Sequence, residues 1–375
     1  MLADGSGGAP ATEPFSVLVL SGGGAFGAYE AGVLSALSQE LEYDVVCGTS
    51  IGALNGAMYA TGQVSRLTKL WASISTRNVV ALPQAVQPNT STALLARLFT
   101  VPHRWLQAAL GKVQGVYSAE PVRDIIRSVL ITADGTAIVP FQKPFFWAVT
   151  DLSDLCGTYY YQEPARPQVG AETVRAALAE RGIGLRTIAT SQPRAFVEAL
   201  RASTAIPAFF EPATLGDKVF VDGGVVNNTP FDVAKIARRL FGAGRPLEIH
   251  TVFNDPREHS LSAPETRNAL AILFSCYELM QKRLVDDAAR LTVREAELAR
   301  RVRPAEGALA QDQRLRDAAD VTIRVVRPTR ALNGSVFDFR DQRAIDENFA
   351  LGQRDGAAGW QPYGIPPDFC ALGPA

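Results

Sequence analysis

Histidine is scarce in this chain. Three occur in 375 residues: His103, His250 and His259. Chemistry that relies on imidazole therefore has few places to sit. A zinc site has fewer still, because the four cysteines (Cys47, Cys156, Cys276, Cys370) are scattered, with no C-x-x-C pair and no Cys/His cluster. That usage argues against a disulfide framework and fits a reducing compartment. Net charge is missing too. The 37 basic and 38 acidic residues leave −1 at pH 7, so nothing draws the whole molecule to nucleic acid or to an anionic membrane. No apolar run approaches the roughly 18 residues of a membrane span. Residues 1–14 carry neither the basic start nor the apolar core of a signal peptide, and they read as disordered. The expected setting is cytoplasmic or peripherally membrane-associated, with secretion by a signal-independent route left open.

What is present is core-forming material. The chain is 47% hydrophobic and 20% charged, which predicts a sizeable buried core. With no internal repeat and no clear linker, a single domain over residues 15–357 is expected, followed by a tail over 358–375. Phe15–Leu20 is a short Val/Leu-rich run, the pattern of a strand buried on both faces. A glycine turn follows, then helical apolar spacing through Ala28, Ala31, Leu34 and Leu37. A second strand is predicted over 43–47 and a second helix over 53–60. This β-α-β-α opening predicts an α/β fold.

Further helices are predicted over 66–76, 120–130, 193–201, 230–240, 342–351 and, as one long element, 266–301. Further strands are predicted over 145–150, 157–162, 218–221, 247–253 and 321–326. Residues 79–116 are less regular, and 165–192 read as an ambiguous excursion.

Three motifs carry the chemistry. Gly48-Thr49-Ser50-Ile51-Gly52 is a G-x-S-x-G pattern between a predicted strand and a predicted helix. In that context it is a candidate nucleophile elbow, with Gly48 and Gly52 allowing strand and helix to approach and Ser50 as nucleophile. The plainer alternative is a glycine turn in which Ser50 caps the helix.

The second motif, Gly22-Gly23-Gly24-Ala25-Phe26-Gly27, lies between the first strand and the first helix. Its N–H groups suit an anion, such as the oxyanion of acyl transfer. It also satisfies the dinucleotide pattern G-x-G-x-x-G, but that reading wants an acidic residue at the end of the second strand, and Asp44 stands at its start.

The third motif is Asp222-Gly223-Gly224 after a strand. Alone it is a hairpin turn signal; beside Ser50, Asp222 would be the base. A histidine base remains formally available, since His250 and His259 follow Asp222 in the order Ser…Asp…His. His103 has no motif around it.

Together these motifs resemble those of the patatin-like phospholipases, a family of lipid acyl hydrolases. The glycine loop, the elbow and the D-G-G motif stand in the family's order. Residues 203–210 (S-T-A-I-P-A-F-F) look like the segment that precedes D-G-G there, and Phe337-Asp338-Phe339 look like the end of such a domain. The resemblance covers about residues 15–357. It implies a three-layer α/β/α fold with a mostly parallel sheet. It also implies a Ser50–Asp222 dyad without histidine, an oxyanion hole from Gly22, Gly23 and Gly24, and neither metal nor cofactor. Gly27, Gly48, Gly52, Gly223 and Gly224 would support these motifs. The chain departs from the family at Phe26, where the glycine loop often carries arginine.

The expected partner is a lipid substrate. Transient contact with a membrane or micelle would fall between Leu94 and Tyr117, where Leu98, Phe99, Trp105 and Leu110 alternate with Arg97, Arg104 and Lys112 without an acidic residue. An ordinary amphipathic helix packed on the core is the rival reading of that stretch. No nucleic-acid partner is expected. Two further readings stay open: a Ser-His-Asp esterase or thioesterase, and a lipid-binding or regulatory protein on an unused hydrolase scaffold.

Overall fold

The computed structural model describes residues 13–37, 42–74, 117–254, 269–302, 312–334, 336, 339 and 341–364. Residues 1–12 of the segment expected to be disordered, the irregular stretch over 79–116, and His103, His259, Phe337 and Asp338 lie outside these residues, as does the lipid-contact stretch apart from Tyr117; Glu13 and Pro14 are described, and their carbonyls accept from Arg245.

The centre is a mixed, mostly parallel sheet. β1 (Phe15–Leu20), β2 (Val45–Thr49), β3 (Phe145–Asp151), β4 (Cys156–Gln162), β5 (Gly184–Thr187), β6 (Ala213–Leu215), β7 (Lys218–Asp222), β8 (Leu247–Val252), β9 (Val321–Val326) and β10 (Gln361–Pro362) all belong to it. The order is β10-β9-β8-β1-β2-β3-β4-β5, and β9, β8, β1, β2 and β3 run parallel. Strands β4 and β10 pair antiparallel with β3 and β9. β1 and β2 are almost wholly buried, which is why their sequences are apolar runs and do not alternate.

Helices cover both faces. On one face lie α1 (Gly27–Leu37), α2 (Ile51–Ala60), α3 (Val64–Ser73), α4 (Glu120–Leu130), α6 (Pro193–Ser203) and α10 (Gln342–Ala357). On the other lie α5 (Ala171–Ala179), α7 (Phe231–Phe241) and α8 (Ala269–Val302). A six-residue α9 (Gln313–Ala318) precedes β9. This is the expected three-layer α/β/α architecture. Helix α1 is buried almost all round because α10 closes over its outer side. Gly32 touches the Phe349 carbonyl and Gly352 the Tyr29 carbonyl, so two helix backbones meet where side chains would hold them apart.

The ambiguous stretch over 165–192 resolves into α5 and the edge strand β5. The tail expected from 358 contributes β10. Strand β6 and helix α9 were not expected from sequence. Among the described residues no helix is long and apolar enough to cross a membrane.

Candidate active site

The register of the sheet brings Ser50 and Asp222 together. Strand β2 runs along one edge of β3 and ends with Thr49 opposite Ala148. Beyond that point β7 takes over the same edge from the opposite direction and ends with Asp222 opposite Val149. Two strand ends thus meet at neighbouring positions of β3. The side chains continue the approach: the Ser50 hydroxyl donates to Asp222 Oδ2 at 2.6 Å.

Ser50 sits at φ 54°, ψ −127°, a backbone state that L-residues rarely occupy, and its side chain caps no helix N–H. The helix-cap reading is therefore corrected: the hydroxyl points to Asp222 and away from the first turn of α2. Such strain persists only where the surroundings enforce it. They do so here through Gly52, where a Cβ would lie 2.5 Å from the Leu20 carbonyl oxygen, and through Gly48, where one would lie 2.4 Å from the Gly52 carbonyl oxygen.

Asp222 has a second attachment. Its Oδ1 accepts the Gly224 N–H at 2.7 Å and caps a short 3-10 turn over Gly223–Val225. The D-G-G motif is thus a capped turn and not a hairpin. The main chain is fixed as well, since Asp222 N–H donates to the Ala205 carbonyl at 3.0 Å and the Thr150 hydroxyl donates to the Asp222 carbonyl at 2.9 Å. Burial pushes the carboxyl up from 3.8 to about 7, against the lowering by the Ser50 and Gly224 hydrogen bonds. Desolvation disfavours the charged form, and here it outweighs both donors.

The glycine loop lies beside this pair. Gly22, Gly23 and Gly24 line one cleft with Ser50 and Asp222, and Gly27 opens α1. One expected donor is already engaged: Gly22 N–H donates to the Asn228 side chain at 2.9 Å. Gly23 and Gly24 remain as the loop's other candidate donors. Gly24 adopts φ 52°, and a Cβ there would fall 2.0 Å from the Val336 carbonyl oxygen, which also accepts the Ala25 N–H at 2.9 Å. The cleft holds about 680 Å³ of empty space, counting the part open to solvent. Its far wall is α8, through Tyr277, Gln281 and Val285. Gln281 donates to the Gly224 carbonyl at 2.6 Å, tying that wall to the D-G-G turn.

The rival residues lie elsewhere. Asp44 accepts from Ser16 N–H and pairs with Arg245 at the opening end of β2, away from the glycine loop. His250 is buried in β8 between the Tyr43 and Trp360 rings and does not line the cleft. Burial lowers its pKa to about 4, against the raising by Glu248 and with a further lowering by Arg324. Cys47 is a buried free thiol, pushed up by burial, while Cys156 and Cys276 are free and exposed.

Sequence reasoning missed Ser203, Asn228 and Asn254. Ser203 accepts the Ser50 N–H at 2.9 Å and donates to the Ala148 carbonyl at 2.6 Å. Its signal was its place at the head of the S-T-A-I-P segment. Asn228 had only its nearness to D-G-G. Asn254, also in the cleft, had none.

Comparison with known proteins finds a matching family. The family model for patatin-like phospholipase matches residues 18–235. An uncharacterised NTE family protein of Mycobacterium tuberculosis is 24% identical over 228 residues, which is 60% of this chain and 46% of that protein. Patatin-like phospholipase domain-containing protein 7 of Rattus norvegicus is 39% identical over 79 residues, 20% of this chain and 6% of that protein. The chain thus spans less than half the length of either relative. Among solved structures, VipD of Legionella pneumophila aligns with a TM-score of 0.37 and 13% identity, over 94% of this chain and 68% of that one. At that score the likeness carries no weight.

Proposed function

The chain belongs to the patatin-like phospholipase family, whose model covers more than half of it, and on that premise we propose that it is a lipid acyl hydrolase working through a Ser50–Asp222 dyad. The observation that carries this reading is the 2.6 Å hydrogen bond between the Ser50 hydroxyl and a buried Asp222 carboxyl. A serine hydroxyl needs a base within reach, and a base is most effective when its pKa lies near the working pH.

In the first step the ionised Asp222 takes the Ser50 proton as Oγ bonds to the ester carbonyl carbon. The carbonyl electron pair moves to oxygen, and the oxyanion is held by backbone N–H groups of Gly23 and Gly24. The intermediate then collapses and the ester C–O bond breaks. Asp222 passes its proton to the leaving alkoxide, which departs as an alcohol or lysolipid. In the second step a water molecule gives a proton to the same carboxylate and attacks the acyl-serine. Collapse returns that proton to Ser50 Oγ and frees the fatty acid. A phospholipid or lysophospholipid is the substrate class we assign; contact with a lipid surface between Leu94 and Tyr117 belongs to the same reading.

A panel of phospholipids, lysophospholipids, glycerides and thioesters, assayed with wild type, Ser50→Ala and Asp222→Asn, tests it. The expected result is ester hydrolysis by wild type and a loss of about 10³-fold or more in each variant. Unchanged hydrolysis in Ser50→Ala removes the dyad. No turnover of any lipid by wild type favours the non-catalytic, lipid-binding reading.

A further inference from the structure

Asn254 stands two residues beyond the end of β8. Because Val252 pairs with Leu20 in parallel register, Asn254 comes level with the glycine loop that follows β1. The loop is tied to that strand end, since the Ser21 hydroxyl donates to the Val252 carbonyl at 3.2 Å. The Asn254 carboxamide packs directly on the loop. Its nitrogen occupies the space of a Cβ on Gly23, 2.3 Å from where that atom would sit, so glycine at 23 is a condition of having this amide here. Asn254 also lines the cleft that holds Ser50 and Asp222.

Both polar atoms of this carboxamide are buried, and neither has a hydrogen-bond partner among the described residues. An unpaired buried amide is unfavourable in the free protein. Such a group is retained where something else satisfies it in use. The neighbouring donors make the need specific. Gly22 N–H is committed to Asn228, and the side chain at position 26 is that of Phe26, which offers no charge and no donor. The Ala25 and Phe26 N–H groups are spent on the Val336 and Gly23 carbonyls, so Gly23 and Gly24 are left as the loop's candidate backbone donors, with Asn254 packed beside them.

Building on the dyad reading, we propose that Asn254 is a catalytic residue whose side-chain N–H donates to the substrate carbonyl oxygen as that oxygen takes up negative charge. It acts with the Gly23 and Gly24 N–H groups and compensates for the Gly22 donor held by Asn228.

Steady-state hydrolysis of a soluble ester, p-nitrophenyl butyrate, tests this without an interface. Wild type, Asn254→Ala, Asn254→Asp and Ser50→Ala are compared, with the thermal midpoint of each. If Asn254 serves the transition state, Asn254→Ala loses about 10²-fold in kcat with KM changed less than about threefold. Its midpoint stays level or rises, because an unpaired buried amide has been removed. Asn254→Asp keeps the shape but replaces the donor by an acceptor and loses at least as much, which holds the test open if the alanine variant does not fold. A kcat within about twofold of wild type in both Asn254 variants, with Ser50→Ala inactive, overturns the role of Asn254 and leaves the dyad standing. Loss of activity in step with a lowered midpoint in both variants also overturns it, by making Asn254 a structural residue. Full activity in Ser50→Ala removes the dyad reading itself, and this role with it.

Discussion

The backbone N–H of Ser50 donates to the Ser203 hydroxyl, and that hydroxyl donates onward to the carbonyl of Ala148, the residue opposite the end of β2. One buried side chain therefore fastens the strained elbow to the strand beneath it. Replacing Ser203 by alanine leaves a buried N–H and a buried C=O without partners, so Ser203→Ala is expected to lose about 1–3 kcal/mol of stability. On the proposed dyad a small shift of the elbow misplaces Ser50, so kcat should fall by about tenfold or more. Denaturant unfolding and steady-state kinetics check both. A stability loss with unchanged kcat would reduce Ser203 to packing alone.

On the proposed dyad, Asp222 sets the pH dependence of activity. Its carboxyl is held up to about 7 by burial, and only the ionised form takes a proton. We therefore expect kcat/KM to rise through about pH 7 with a single ionisation and to level off above it. In Asp222→Asn the rising limb should vanish with the activity. A flat profile from about pH 5.5 to about pH 8.5 would mean that another group is the base.

Glu30 offers a separate test, on stability. It is fully buried in α1, accepts from Asn55 Nδ2 at 2.8 Å, and is pushed by burial from 4.5 to about 8, with the Asn55 bond opposing that rise. Since the folded-state value lies above the unfolded one, the stabilising contribution is complete below about 4.5 and is lost as pH rises through about 8. Glu30→Gln keeps an oxygen for Asn55 and removes the ionisation. Relative to wild type, the variant should gain stability as pH increases across that window. Parallel stability–pH curves for the two proteins would contradict this.

His250 separates the dyad from a histidine triad. Buried against Tyr43 and Trp360, it should be replaceable by phenylalanine with kcat changed less than about threefold, although packing and the thermal midpoint will shift. His259→Ala should likewise retain activity. A fall of about 10³-fold in either folded variant would restore the triad.

The fold and the meeting of Ser50 with Asp222 were legible in sequence for different reasons. The β1 and β2 runs are apolar because both faces are covered, and that burial is written directly in composition. Ser50 and Asp222 were legible because glycines mark where backbones must approach, and these elbow and turn glycines are required by contacts to Leu20, Ala148 and other main-chain groups. Burial of Asp222 had no local signal in the sequence. What sequence hid was partnership across distance. Nothing near Gly22 indicates that Asn228 takes its N–H, and nothing near Asn254 indicates that β8 ends beside the glycine loop. The helix-cap reading of Ser50 failed because side-chain direction depends on φ, and a positive φ at a serine cannot be read from residue type.

The hydrogen bond from Ala25 to the Val336 carbonyl has a consequence for biosynthesis. The loop next to Ser50 is braced by Val336, far later in the chain, and α1 behind it packs against α10, which is later still. Contacts this remote in sequence form late, because the intervening chain must first be ordered. During translation, a ribosome-bound chain that already carries Ser50 and Asp222 still lacks the brace for its glycine loop. The glycine loop therefore takes its braced form only once helix α10 has been made and docked.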